Sequence, residues 1–181
     1  MAKVIAEIGF NHEGNIKVAG KMIEKAAKSG AYAVKFQTYR AIDLALPNSR
    51  HYGLIKKGEM NLLQHKELAR IARECKIKFL STPYSRWAVR ILEEVGVSAY
   101  KVASMDCTNK YLLGIIAKTK KPIYLSTGMA TISEINETLS FLKKAKSGPL
   151  TLMHCVSIYP PSPDQLNLDI ILYLKGLFSL P

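Results

Sequence analysis

Six times along this chain of 181 residues an apolar, strand-like run gives way to a stretch of helical periodicity. The strand-like runs are Val4–Phe10, Tyr32–Thr38, Lys78–Thr82, Ala99–Ala103, Ile123–Thr127 and Leu150–Val156. Between and after them lie Ile16–Lys28, Leu63–Cys75, Ser85–Val95, Lys110–Lys118, Ser133–Ala145 and a last helix around Asn167–Lys175. Alternation of this kind requires a parallel sheet with helices outside it, either closed into a barrel or opened into a doubly wound sheet. No glycine-rich dinucleotide loop is present, and polar residues recur at the ends of many successive strands rather than at one switch point. The pattern therefore predicts a TIM-type β/α barrel, incomplete, in which residues 1–181 supply about six of the eight strand–helix units as one partial barrel domain.

Strand parity agrees, because only one of the two alternating side-chain sets can face inward. Ile5, Glu7 and Gly9 share a face, as do Ala33, Lys35 and Gln37, then Leu80 and Thr82, Tyr124 and Ser126, and Cys155, Ser157 and Tyr159. Only the connection from Thr38 to Leu62 is long. It holds Pro47, Asn48, Ser49, Arg50 and Gly53, and reads as a lid or binding loop, or as a tolerated surface insertion.

Composition excludes several classes. With 48% hydrophobic residues and 22% charged the chain is globular, and no apolar run approaches the roughly 20 residues of a membrane span. Lys3 and Glu7 interrupt the N-terminus where a secretory signal would need its apolar segment, so a cytoplasmic location is expected. Cys75, Cys107 and Cys155 are far apart and suggest neither a disulfide framework nor a zinc site, and His12, His51, His65 and His154 show no metal spacing. His154, inside a predicted strand, reads as a satisfied core histidine. A net charge of +12 is spread over helical stretches such as Lys21, Lys25 and Lys28 without interleaved aromatics. That fits a solvated basic surface and an anionic small substrate, not nucleic acid.

The chemistry gathers at the strand ends. Lys35 and Lys101 lie in otherwise apolar strands, where an unpaired ammonium costs several kcal/mol, so each must meet an anion. Glu7 is one candidate; a bound anion is the other, since two lysines face one strand carboxylate. Thr82, Ser104, Ser126, Thr127 and Ser157 add hydroxyl donors suited to phosphate or carboxylate oxygens, although Ser104 and Thr127 also suit capping or turn roles. Glu7 and Asp106 are the acid–base candidates, Glu7 being expected to be the more buried and to have the raised pKa, while Asp106 alternatively caps the helix beginning near Asn109. Gln37 offers a donor and an acceptor to a neutral polar group such as a sugar hydroxyl.

Six ordered blocks then carry a resemblance: Ile5-Ala-Glu-Ile-Gly-Phe-Asn-His-Glu-Gly14, Ala33-Val-Lys-Phe-Gln-Thr38, Leu80-Ser-Thr-Pro-Tyr-Ser85, Lys101-Val-Ala-Ser-Met-Asp106, Leu125-Ser-Thr-Gly-Met129 and His154-Cys-Val-Ser-Ile-Tyr-Pro160. Together they resemble the catalytic barrel of the sialic acid synthase family, the phosphoenolpyruvate-dependent synthases of N-acetylneuraminate and related nonulosonic acids. The resemblance implies that Lys35, Thr82, Lys101, Ser104, Ser126 and Ser157 hold the phosphate and carboxylate of phosphoenolpyruvate. It also implies that Glu7, Gln37, Asp106 and Tyr159 face an N-acetylated amino sugar, such as N-acetylmannosamine, and the reacting carbons. A divalent cation, Mn or Mg, and a homodimer are expected for the family.

The family's Ser-Asp-His segment and further histidine, which supply the metal ligands, have no counterpart here, and neither does its C-terminal antifreeze-like domain. A six-stranded barrel would keep open edges, so the chain alone is expected to be poorly stable, to aggregate or pair by its edges, and to show negligible synthase activity. Two other readings stay open: a noncatalytic remnant that binds phosphate-bearing ligands, and a Schiff-base aldolase using Lys35 or Lys101.

Overall fold

In a computed structural model that describes residues 2–181, the chain forms two compact units, residues 2–98 and 99–181, each built on a three-stranded parallel sheet. In the first, β1 (Ile5–Gly9), β2 (Ala33–Thr38) and β3 (Lys78–Pro83) lie in the order β1-β2-β3, connected by α1 (Ile16–Lys28) and α4 (Leu62–Glu74) and followed by α5 (Arg86–Val95). In the second, β4 (Tyr100–Val102), β5 (Ile123–Ser126) and β6 (Leu150–Met153) lie in the order β4-β5-β6, with α6 (Lys110–Lys118), α7 (Ile132–Lys144) and α8 (Asp169–Phe178). Every predicted strand and helix forms, and within each unit every strand pairs with its successor in sequence.

The local causes are visible at the helix ends. Asn61 and Gln64 form a reciprocal capping box at the start of α4, and Thr131 with Glu134 does the same for α7, each satisfying two orphan backbone donors. Gly96 ends α5 in the left-handed conformation at φ +79°, which lacks a penalty only for glycine. β2 is buried almost end to end, with Val34 and Phe36 packed away and Phe36 stacked on Phe79 of β3. Side chains of this size contribute about 1.5–3 kcal/mol each when fully buried. In the second unit Leu113, Ile116, Leu125 and Leu142 form the corresponding core.

Two expectations are corrected. The connection after β2 is not a bare loop, because it folds into α2 (Ala41–Leu44) and α3 (Tyr52–Lys57). It is also tied down: the buried Tyr39 hydroxyl donates to the Ile55 carbonyl at 3.0 Å, Ala41 N–H donates to Glu59 at 2.8 Å, and Lys57 pairs with Glu13 at 2.5 Å. Burial and the Glu59 carboxylate push the Tyr39 phenol up to about 12, so the hydroxyl stays a donor. The last strand ends at Met153, not Val156, so His154, Cys155, Ser157 and Tyr159 lie on an irregular segment and the face predicted for them does not exist. Thr127 marks the cause, since its N–H and its hydroxyl both donate to the Met153 carbonyl, at 3.0 and 3.1 Å, closing the sheet there. No helix among the described residues is long and apolar enough to cross a membrane.

Candidate active site

Parallel pairing repeats one device in both units. Lys35 on β2 stands opposite Leu80 of β3, yet its Nζ reaches two residues further toward the strand's C-terminal end and donates to Thr82 Oγ1 at 3.1 Å. Lys101 on β4 stands opposite Tyr124 of β5 and likewise reaches two residues on, donating to Ser126 Oγ in a short hydrogen bond and to the Val102 carbonyl at 3.2 Å. Each ammonium is thereby aimed along its sheet toward the end where the strands give way to loops, and each is paired with a buried hydroxyl, Thr82 or Ser126.

In the first unit Lys35 also pairs with Glu7 of β1 at 2.7 Å. The register places Glu7 directly beside Lys35, and a bulge follows between Glu7 and Gly9. Gly9, at φ +58°, turns the chain so that a Cβ there would stand 3.3 Å from Glu7 Oε1 and 3.9 Å from Gln37 Nε2. Glu7, Lys35, Gln37 and Thr82 therefore gather as one cluster. The burial expected of Glu7 is overturned, because its side chain is 54% exposed while that of Lys35 is 10% exposed. As the first strand of its sheet, β1 covers Glu7 on one side only.

The buried carboxyl is Asp106 instead, in the short 3-10 turn Ser104–Asp106 after β4. Its Oδ1 accepts from Asn109 Nδ2 at 2.9 Å, and its Oδ2 is buried without a hydrogen-bond partner. Burial raises its pKa, with the Asn109 bond opposing the shift. The capping role once open to Asp106 belongs to Asn109, whose side chain accepts from Leu112 N–H at 3.1 Å.

Ser104 and Ser157 meet over Gly128. A Cβ at that glycine would lie 2.8 Å from Ser104 Oγ, 2.9 Å from Ser157 Oγ and 2.9 Å from the Cys155 carbonyl, so only glycine lets these groups converge. The Cys155 thiol donates to Ser126 Oγ at 3.2 Å. Lys101, Ser104, Ser126 and Ser157 thus form the second cluster. Tyr159 stands apart, 92% exposed. His154 is satisfied, its Nε2 donating to the Leu166 carbonyl at 2.7 Å, but it lies past the end of β6 and is only partly buried, so it is not the core histidine expected. Gly9, Gly128 and Cys155 were given no role by sequence reasoning, although each sits inside a quoted block; the signal for Gly128 was a glycine directly after the Ser126-Thr127 end of β5.

Two ammoniums, each backed by a hydroxyl, form donor sets for phosphate or carboxylate oxygens. Among the described residues no three His, Cys, Asp or Glu side chains gather as a metal-ligand set.

The NeuB family profile matches residues 22–181. An uncharacterized protein of Methanocaldococcus jannaschii is 40% identical over 98% of this chain and 53% of its own length. An N,N'-diacetyllegionaminic acid synthase of Campylobacter jejuni is 39% identical over 98% of this chain and 58% of its own. The crystal structure of a sialic acid synthetase from Leptospira borgpetersenii serovar Hardjo-bovis, in complex with citrate, superposes with a TM-score of 0.94 at 36% identity, covering 98% of this chain and 62% of that one. The chain thus spans just over half the length of these curated relatives.

Proposed function

Since this chain belongs to the NeuB family, we propose that it carries the phosphoenolpyruvate-binding part of a nonulosonic acid synthase on an incomplete β/α barrel. The repeated lysine–hydroxyl pair carries the reading: Lys35 with Thr82 in the first unit and Lys101 with Ser126 in the second are each a cationic donor set suited to phosphate or carboxylate oxygens. Ser104 and Ser157 add two further hydroxyl donors beside Gly128. The relatives named for sialic and legionaminic acid synthesis support a nonulosonic acid as the product.

In this reaction the methylene carbon of phosphoenolpyruvate bonds to the aldehyde carbon of an N-acetylated amino sugar, and the aldehyde oxygen takes a proton to become a hydroxyl. Water adds to the adjacent enol carbon, which has become electron-poor, and gives up a proton. The carbon–oxygen bond to phosphate then breaks, leaving a 2-keto acid and inorganic phosphate. Lysine contacts orient the donor and hold its charge in place. Asp106 Oδ2, buried and with a raised pKa, is the atom at which a proton is held and returned. Glu7, exposed, and Gln37, partly exposed, stand beside Lys35 and offer polar groups to the sugar. Among the described residues no three His, Cys, Asp or Glu side chains gather to hold the divalent cation that the resemblance implies, and no step is assigned to it.

Calorimetric titration with phosphoenolpyruvate, run beside a phosphate-release assay with N-acetylmannosamine, tests the reading. Saturable binding of phosphoenolpyruvate is expected. Binding with no phosphate release identifies a chain that retains the donor site without turnover, and no binding refutes the proposal.

A further inference from the structure

A serine hydroxyl has one hydrogen to give and two lone pairs to receive. At Ser126 both lone pairs are engaged: Lys101 Nζ donates to Oγ, and so does the Cys155 thiol at 3.2 Å. The residue is buried at the end of β5, so its rotor has little room to choose another partner. Its own hydrogen is then the one left to offer, and the neighbouring donors over Gly128, Ser104 and Ser157, mark where an acceptor would stand.

We infer that Cys155 is a positioning residue: by donating its S–H to Ser126 Oγ it commits the Ser126 hydroxyl to act as a donor toward the bound anion. The inference rests on the reading of Lys101 and Ser126 as an anion clamp. It explains a thiol at this place. A side chain without a donor would leave the second lone pair open, and the hydroxyl would then be free to turn away from the ligand. Thiol donors are weak, so the effect is one of orientation. Cys107, by contrast, is buried with its thiol pushed up to about 11 by burial and the Glu134 carboxylate.

The test has two arms on the intact chain. The S–H stretching band of Cys155, isolated as the difference between wild type and Cys155→Ala, reports whether the thiol donates. It is expected at the lowered frequency of a hydrogen-bonded thiol and should rise in Ser126→Ala. Calorimetric titration with inorganic phosphate and with phosphoenolpyruvate should show Cys155→Ala weakened by about three- to tenfold, the range of one modest hydrogen bond, and Cys155→Ser restored toward wild type by its hydroxyl donor. A merely structural role would lower the unfolding midpoint of both variants and give no rescue of affinity. An S–H band unmoved by Ser126→Ala overturns the inference whatever the titrations show, as does a shifted band with Cys155→Ala binding as wild type. If the wild-type chain binds neither ligand, the clamp reading itself fails and the inference falls with it, a result the band arm separates from loss of the thiol bond.

Discussion

Gly128→Ala adds a single methyl group at the point where the second cluster is tightest. The new Cβ would stand 2.8 Å from Ser104 Oγ, 2.9 Å from Ser157 Oγ and 2.9 Å from the Cys155 carbonyl, all inside van der Waals contact. Gly128 is not among the positive-φ glycines, so the effect is steric and not torsional. Two of the three neighbours are rotatable hydroxyls. The third is backbone, and relieving it must shift the segment after β6. Overpacking of this kind costs about 1–3 kcal/mol, which a urea titration reads as a lowered midpoint at unchanged slope. Displacing Ser104 and Ser157 should also weaken phosphoenolpyruvate binding by at least about tenfold, the equivalent of about 1.4 kcal/mol. Gly53→Ala is the matched control: it lies in α3, its added Cβ meets nothing within 4 Å, and alanine in a helix should stabilise by about 0.5–1 kcal/mol. A Gly128→Ala chain with wild-type midpoint and wild-type affinity would refute the convergence of hydroxyls on this glycine.

Three other variants probe separate contacts. The folded-state pKa of Asp106 is raised by burial, so the native chain holds its proton over the interval above the ordinary value of 3.8, and the penalty on the fold grows as pH rises through that interval. Asp106→Asn should therefore be more stable than wild type at pH 7, with an advantage that shrinks as pH falls toward 4.5; urea midpoints giving a pH-independent difference would contradict this. Tyr39→Phe removes the donor to the Ile55 carbonyl and should cost about 0.5–1.5 kcal/mol, with faster amide exchange in α3 and little change in α6. Glu7→Gln removes the carboxylate that competes with an incoming anion for Lys35, and should tighten inorganic phosphate binding about two- to fivefold in calorimetry, in line with a partly exposed ion pair; unchanged or weaker binding would argue that Lys35 does not contact the anion.

Strands and long helices were legible because each carries its own periodicity and end signals, as in Asn61 with Gln64 and Thr131 with Glu134. The helices α2 and α3 were not, since four and six residues cannot display a buried stripe, and contacts such as Tyr39 with Ile55 and Glu13 with Lys57 hold them in place. Strand parity brought Glu7, Lys35, Gln37 and Thr82 together correctly. It misjudged the segment after Met153, where Thr127 closes the sheet through a side-chain bond that no alternation pattern encodes. The burial of the two carboxyls was inverted for a related reason. Sequence neighbours place Glu7 among apolar residues, but its exposure depends on β1 having one sheet partner, and the burial of Asp106 depends on a 3-10 turn packed after β4. The reach of each lysine to a hydroxyl two residues up the next strand was also invisible until the register was known.

Each lysine–hydroxyl pair, Lys35 with Thr82 and Lys101 with Ser126, is proposed to hold an anionic group of phosphoenolpyruvate. A phosphoenolpyruvate titration of Lys35→Met and Lys101→Met, with the unfolding midpoint of each chain measured alongside, tests it most directly. Exchanging the ammonium of buried Lys35 or of partly buried Lys101 for an apolar side chain of similar length should leave both variants folded, while each should bind phosphoenolpyruvate at least about tenfold more weakly than wild type. Wild-type affinity in either folded variant would contradict the account.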